Sequence, residues 1–291
     1  MKLGIDNIEK NLRLFDGKRV GLITNPSGIN SDYVSTVEVL KQNTNLVALF
    51  SAEHGVRGDL QAGVKLDTYI DEVYQIPVYS LYGDTRKPTK AMLDEIDILC
   101  IDIQDVGSRF YTYVSTMAYS MIACAELGKA FVVFDRPNPI NGIDVDGNIL
   151  DIEYRSFIGY YPIIQRHGLT IGEMANFINE EFGVGCKLDV VKMEGWERRL
   201  FIDQINTPWV LPSPNFPSIM TGLLYNALCI FEGTNVSEGR GTTIPFEIAG
   251  APYINADDLA KKMNTLKLPG VMFRPIHFTP TFSKYVNEVC H

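Results

Sequence analysis

Long apolar runs are missing from this 291-residue sequence, and so are several short motifs that mark common classes of site. No stretch reaches the roughly 20 apolar residues that a membrane-spanning helix requires. Neither GxGxxG nor GxxxxGK[ST] occurs, so a nucleotide site has no support. A GxSxG nucleophile elbow is also absent, and serine-hydrolase chemistry therefore has no signal in the sequence.

The sequence contains few cysteines, and their spacing does not indicate a paired motif. The five cysteines are odd in number and form no CxxC pair, which argues against a zinc knuckle or a dithiol redox site. Cys100, Cys124 and Cys229 lie in apolar runs and are predicted to be buried, reduced thiols. The N-terminus lacks the apolar run of a secretory signal, so the sequence as it stands predicts a cytoplasmic protein. The alternative is an exported protein whose leader has been removed.

Positive charge is in deficit. Lys and Arg number 26 against 35 Asp and Glu, for a net charge of -9. This balance argues against nucleic acid or an anionic membrane as the main partner. Local basic groups could still bind a small acidic substrate.

The first half of the chain alternates short β-rich runs with helical patterns, which predicts an α/β fold with a parallel sheet covered on both faces. Helices are expected near 32–41, after Thr89 and over 111–127, and the predicted strands are residues 20–24, 46–50, 78–81, 98–103 and 131–134. Residues 136–168 show no clear period and are predicted to form a long functional loop or a crossing between domains. Thr170 and Glu173 form a capping box, 187–191 is a strand, and Asn255 caps a helix that turns Leu259, Met263 and Leu266 inward.

Polar and ionisable residues follow the predicted strands. At the carboxyl ends of parallel strands such residues form the rim where ligands bind. The rim residues are Asn25, Glu53, His54, Arg57, Asp102, Gln104, Asp105, Arg109, Asp135, Arg136 and Asn138.

Glu53-His54 is the sharpest single feature of this rim. Glycines at 55, 58 and 63 let the backbone turn tightly around a ligand. Glu53 could act as a general acid if burial raises its pKa. The spacing of the residues supports equally a structural role, in which the Glu53 carboxylate is bound by Arg57 or by backbone amides.

The other rim carboxylates leave further alternatives open. Asp102, Asp105 and Asp135 supply, with Glu53, the paired carboxylates that glycoside hydrolysis uses. Asp105 could instead pair with Arg109 as a structural ion pair. The same acids with His54 could hold a divalent metal, although no spaced ligand motif is present.

A second glycine-rich segment, residues 239–243, is compatible with two different roles. Arg240 and the backbone amides could bind an anion. The loop could equally be pinned by an ion pair between Glu238 and Arg240.

Eight blocks together resemble a bacterial family typified by exo-acting β-N-acetylmuramidases, glycoside hydrolase family 171. The blocks are TNPSG (24–28), AEHGVRGDLQAG (52–63), PVYSLYG (77–83), DIQDVGSRFYTY (102–113), DRPNP (135–139), RHGLTIGE (166–173), PSPNFP (212–217) and FEGTNVSEGRGTTIPFE (231–247). The resemblance implies a Rossmann-like domain, a second smaller α+β domain and a cleft between them. We place these domains at 1–165, with most of the catalytic rim, and 166–291, the latter expected to be truncated at its C-terminus relative to the family.

The resemblance also implies an activity and a site. Such enzymes release N-acetylmuramic acid (MurNAc) from the non-reducing ends of peptidoglycan fragments such as MurNAc–GlcNAc, and no cofactor is implied. Glu53 is the expected catalytic acid, and the catalytic set also contains His54, Asp102, Asp105 and Asp135. The lactyl carboxylate of MurNAc needs a cation. Candidates are Arg57, Arg136, Arg166 and Arg240, and the other expected substrate-binding residues are Asn25, Gln104, Arg109, Asn138, His167 and Glu238.

Several points stay open at this level. Because family members continue past residue 291, a muropeptide-binding module without turnover is one alternative, and a metal-dependent hydrolase is another. Retention and inversion are equally compatible with the sequence, and the acetamido group of the sugar is an alternative nucleophile.

Overall fold

The structure, a computed structural model, describes residues 1–58, 67–207 and 209–291. Asp59 and Gly63, at the end of the second resemblance block, and Pro208 lie outside the described residues. The chain divides into two compact units, Met1–Pro214 and Asn215–His291.

The first unit is built on a mostly parallel sheet, which confirms the predicted α/β fold. Among the described residues seven strands form this sheet, in the order β3-β4-β2-β1-β5-β6-β9, and only β3 is antiparallel to its neighbour. The strands are β1 (Arg19–Thr24), β2 (Asn45–Ser51), β3 (Tyr69–Ile70), β4 (Pro77–Ser80), β5 (Ile98–Asp102), β6 (Ala130–Phe134) and β9 (Lys187–Val191). A separate antiparallel pair, β7 (Asp146–Ile149) and β8 (Ile164–Arg166), lies within the segment predicted to be irregular.

Two helices of the first unit begin at the caps that the sequence predicts, Thr89 and Thr170. The helices of this unit are α1 (Thr36–Asn43), α2 (Lys90–Asp94), α3 (Tyr113–Glu126) and α4 (Ile171–Glu181), with 3₁₀ turns at Ile5–Leu14, Ile152–Tyr154 and Ile202–Gln204. Ser35 caps α1, which therefore starts four residues later than predicted. The capping box of Thr170 and Glu173 is confirmed at α4.

Continuous apolar strands bury the centre of the sheet. Leu22, Leu49, Cys100, Val132 and Phe134 are at most 1% exposed and belong to one hydrophobic cluster. Strands that are buried on both faces need apolar side chains at nearly every position, which explains why the runs were recognisable. The predicted burial of the three cysteines is confirmed, and all three are free thiols.

The boundary between the units differs from the one predicted at 165/166. Strand β9 pairs in parallel with β6, from Ala130–Lys187 to Phe134–Val191, and α4 leads into it. This pairing places Lys187–Val191 in the sheet of the first unit, which extends to Pro214.

The second unit contains α5 (Ile219–Leu228), a 3₁₀ turn at Cys229–Gly233 and α6 (Ala256–Thr265). Asn255 caps α6 as predicted, but of the residues predicted to face inward only Met263 is half-buried. Leu259 and Leu266 are 42% and 59% exposed, whereas Ala256 and Ala260 are buried. These alanines lie four residues apart on one helix face, and their small side chains let that face pack closely. Nowhere in the described ranges is a helix long and apolar enough to cross a membrane.

Candidate active site

Parallel register brings the ends of four strands to one edge of the sheet. Thr24 at the end of β1 pairs with Ser51 of β2 and Asp102 of β5, and Ile101 pairs with Val133 of β6. The loops that carry the predicted rim residues therefore begin at the same edge of the sheet, the edge at which open parallel sheets bind their ligands.

Glu53 follows β2 and is only partly buried. Its Oε2 accepts a hydrogen bond of 2.9 Å from Thr112 Oγ1, the residue that precedes α3. Tyr82 follows the neighbouring strand, since Ser51 of β2 pairs with Ser80 of β4. Burial, followed by the negative charge of Glu53, raises the pKa of Tyr82 to about 12. The Thr112 hydroxyl thus orients this carboxylate and leaves part of it accessible.

His54 forms the turn beside Glu53. It is buried, and its φ of 74° lies in the left-handed region, as does the φ of 79° at Gly55. Histidine adopts such a conformation more readily than β-branched residues do, and glycine does so without penalty. The consecutive left-handed residues reverse the chain after β2 and present Glu53 at the sheet edge.

Asp102 and Arg136 form a buried ion pair between the ends of β5 and β6. Arg136 Nε and Nη2 lie 2.5 and 2.9 Å from Asp102 Oδ1 and Oδ2, and both side chains are at least 97% buried. Thr36 Oγ1 donates to the same carboxylate, and Arg136 Nη2 donates to the Ile29 carbonyl. Every charge in this group has a partner inside the protein, which is the condition for tolerating a buried pair.

Buried amides join neighbouring loops of the rim. Asn25 Nδ2 donates to Tyr113 Oη and to the Pro212 carbonyl, at 2.8 Å each. Gln104 Nε2 donates to the carbonyls of Asp105 and Pro137. The amide groups of these side chains form hydrogen bonds within the protein and fix the loops in place.

Asn138 has a similar role after β6. Its Nδ2 donates to the Leu169 carbonyl, and its Oδ1 accepts from the Ile140 amide. The side chain therefore ties the loop after β6 to the segment that leads into α4.

Asp105 lies against His167. Asp105 Oδ2 accepts from the Gly107 amide at 2.7 Å and is 3.3 Å from His167 Nε2. His167 Nδ1 accepts from the Leu169 amide, so the proton of the neutral ring is on Nε2 and faces Asp105. Within the described part of the chain, Asp105 Oδ1 is a buried oxygen without a hydrogen-bond partner.

Asp135 is 7% exposed and sits at the start of α4. Its Oδ1 accepts from the amides of Arg136 and Gly172, at 3.0 and 2.8 Å. Burial raises the pKa of Asp135 to about 6, although these amides and the Thr170 hydroxyl act in the opposite direction.

The remaining predicted arginines of the first unit are held by internal acceptors. Arg57 Nη2 bonds to Asp71 at 3.0 Å, with 58% of its side chain exposed. Arg109 Nη1 donates to two carbonyls of the β7–β8 region, those of Asn148 and Ile163. Arg166 Nη2 donates to the Ile140 carbonyl at 2.6 Å and lies 3.4 Å from Asp144.

The two predicted residues of the second unit form the ion pair that was the alternative to anion binding. Arg240 bonds to Glu232 at 2.8 Å and lies 3.6 Å from Glu238, with its guanidinium over the Phe246 ring. Glu238, 1% exposed, also accepts from Lys284 at 2.9 Å. This loop is stabilised by its own charges.

Thr112, Tyr82 and Thr36 act in this region but were not predicted individually. Thr112 and Tyr82 lie inside two of the resemblance blocks, which was the available signal. Thr36 had none, because a threonine at the start of a helix is first expected to serve the helix itself. Among the described side chains, no group of three or more His, Cys, Asp or Glu is arranged to hold a metal ion.

Family models account for nearly all of the chain. The model for the N-terminal part of the exo-β-N-acetylmuramidase NamZ matches residues 20–220, and the model for the C-terminal part matches 223–291. This chain belongs to the NamZ family.

Relatives and solved structures agree with that membership. The peptidoglycan β-N-acetylmuramidase NamZ of Bacillus subtilis (strain 168) is 52% identical over 297 residues, covering 100% of this chain and 71% of the relative. A DUF1343 family protein from Bacteroides fragilis NCTC 9343 superimposes with a TM-score of 0.92 at 44% identity, covering 99% of this chain and 75% of its own. A second DUF1343 protein from the same strain has a TM-score of 0.81 at 34% identity, covering 100% and 75%.

Proposed function

We propose that this member of the NamZ family is a glycoside hydrolase that releases N-acetylmuramic acid from the non-reducing ends of peptidoglycan fragments. The family models and the Bacillus subtilis relative are named for β-N-acetylmuramidase activity, and the relative aligns with the whole chain. MurNAc–GlcNAc is the simplest substrate of this class.

One observation carries the assignment of the catalytic acid. Of the four predicted carboxylates, Asp102, Asp105 and Asp135 are 1%, 5% and 7% exposed, whereas Glu53 is only partly buried. A general acid must reach the glycosidic oxygen at hydrogen-bond distance, so an accessible carboxyl is required. Glu53 meets this requirement at the end of β2.

Thr112 and Tyr82 support Glu53 in this role by positioning it. The Thr112 hydroxyl fixes one orientation of the carboxyl, as preorganised catalysis requires, and Tyr82 lies beside it at the end of the neighbouring strand. In the reaction Glu53 gives its proton to the leaving alcohol oxygen as the bond from that oxygen to the anomeric carbon breaks. One water molecule is consumed, because its oxygen ends on the anomeric carbon and one of its protons returns the acid to its starting state.

The buried acids hold the rim together rather than touch the sugar. Asp102 and Arg136 join β5 to β6, and Asp105 contacts His167 from the segment before α4. Their role is to keep the strand-end loops in register beneath Glu53.

Turnover of a chromogenic β-N-acetylmuramide tests the proposal. Glu53→Gln keeps the shape and the hydrogen-bond acceptor but removes the transferable proton, so we expect loss of product. Glu9→Gln, at an exposed position of the N-terminal 3₁₀ turn, is the matched control and should leave turnover unchanged. Equal turnover by wild type and Glu53→Gln, or tight binding of MurNAc–GlcNAc without any product, would contradict the proposal.

A further inference from the structure

Arg86 lies in an aromatic cluster beside Glu53 and was not among the predicted cations. Its guanidinium carbon is 4.4 Å from the centroid of the Phe157 ring and 5.3 Å from that of Tyr82. The two rings are 6.0 Å apart. An arginine stacked on aromatic faces keeps its N–H edge available, and its planar fork is held ready for a carboxylate.

Arg86 differs from the predicted arginines in its partners. Arg136 and Arg240 are paired with carboxylates and less exposed, and Arg57 and Arg166 each contact an acid. Within the described ranges, Arg86 makes no hydrogen bond or ion pair with another residue. Its donors are therefore free to bind an anion without first breaking an internal ion pair.

The position of Arg86 relative to Glu53 suits a sugar with an acidic substituent. Tyr82 contacts Arg86 with its ring. It lies beside Glu53 because Ser51 of β2 pairs with Ser80 of β4, each two residues earlier in the chain. One phenol ring therefore separates the guanidinium of Arg86 from the carboxylate of Glu53, a separation on the order of 10 Å.

MurNAc has matching dimensions. Six covalent bonds separate its glycosidic oxygen from its lactyl carboxyl carbon, a span of roughly 6 Å at ordinary bond lengths. A hydrogen bond of about 2.8 Å at each end then requires roughly 10–12 Å between the acid oxygen and the guanidinium carbon. The distance between Glu53 and Arg86 is compatible with this span.

We propose that Arg86 binds the lactyl carboxylate of MurNAc and thereby selects muramides over glucosaminides. The inference rests on the proposed function. N-acetylglucosamine (GlcNAc) lacks the lactyl group, so the contact with Arg86 is lost with that sugar while the contact of its glycosidic oxygen with Glu53 remains.

The test compares two sugars and two arginines. Arg86→Gln removes the charge, and Arg86→Lys keeps the charge but loses the fork. Arg155→Gln is the matched control, because Arg155 also stacks on an aromatic ring, at 4.7 Å from Tyr160, but does not contact Tyr82. Binding of MurNAc and of GlcNAc is measured by calorimetry, and kcat/KM is measured with the muramide and with its lactyl methyl ester.

We expect Arg86→Gln to weaken MurNAc binding and to lower kcat/KM for the muramide by about 10- to 100-fold, the range for a hydrogen bond between charged groups. Arg86→Lys should recover part of this loss. GlcNAc binding and turnover of the methyl ester should change by less than about threefold, and Arg155→Gln should match wild type. Unchanged thermal unfolding shows that the variants are folded.

The outcomes separate this inference from the proposed function. Suppose that wild type turns over the muramide and that the ratio of kcat/KM for the muramide to kcat/KM for its methyl ester is the same in Arg86→Gln as in wild type. The Arg86 assignment is then overturned, and the proposed function stands. If the discrimination is lost in Arg57→Gln instead, Arg57 is the lactyl-binding residue. If wild type neither binds MurNAc nor cleaves the muramide, both proposals fail.

Discussion

Asp135 should make the first unit more stable in mild acid than at neutral pH. The carboxyl is 7% exposed, and burial raises its pKa from 3.8 to about 6. In the unfolded chain the pKa returns to about 3.9. The folded state therefore holds the proton more tightly, and the stabilisation is complete below about pH 4 and is lost as the pH rises through about 6.

The size of the effect follows from the shift in pKa. Each unit corresponds to about 1.4 kcal/mol, so a shift of two units contributes about 3 kcal/mol to the free energy of unfolding. Asp135→Asn removes the titration, and its amide oxygen can still accept from the amides of Arg136 and Gly172.

Urea unfolding of wild type and Asp135→Asn between pH 4 and pH 7.5 measures this contribution. Both tryptophans, Trp196 and Trp209, lie in the first unit, so their fluorescence follows that unit. The free energy of unfolding of wild type minus that of the variant should fall by about 2–3 kcal/mol as the pH rises across this range. Asp16→Asn, at an exposed position, is the control and should show no such change. A difference that stays flat or rises with pH would refute the reasoning.

Two further substitutions test the rim. Arg136→Met leaves Asp102 as a buried charge without its arginine and should destabilise the first unit by about 3–5 kcal/mol. The shift of the urea midpoint measures this loss. A loss below about 1 kcal/mol would contradict the structural role of the pair. Thr112→Val removes one hydroxyl from Glu53 and should lower kcat for the muramide by about 10-fold, with thermal unfolding unchanged. Unaltered kcat in a folded Thr112→Val protein would show that this contact does not position the acid.

The strands and helix caps were predictable because their signals are local. The apolar runs of β1, β2, β5 and β6 reflect burial on both faces of the sheet, and the capping box at Thr170 depends on residues three apart. The edge strand β3 and the β7–β8 pair carry too few apolar residues to produce such a pattern.

The candidate site was predictable in its outline but not in its contacts. The strand-end rule and the resemblance both indicated Glu53, since they depend on sequence position. The partners of each charge depend on distant segments: Asp102 meets Arg136 34 residues away, and Thr112 meets Glu53 59 residues away. Arg86 lies outside every resemblance block, and only the folded chain shows it against the rings of Tyr82 and Phe157.

The buried face of helix α6 was likewise not predictable from the sequence. Helical periodicity identified the apolar side chains Leu259 and Leu266 but not the face that is buried. Alanines are weak signals of burial in a sequence, yet they let a helix approach its neighbours most closely.

Release of MurNAc from MurNAc–GlcNAc, compared between wild type and Glu53→Gln, tests the central claim most directly. We expect release by wild type and a loss of about 100-fold or more in Glu53→Gln, the usual contribution of a general acid. Release at the same rate by both proteins, with thermal unfolding also the same, would contradict it.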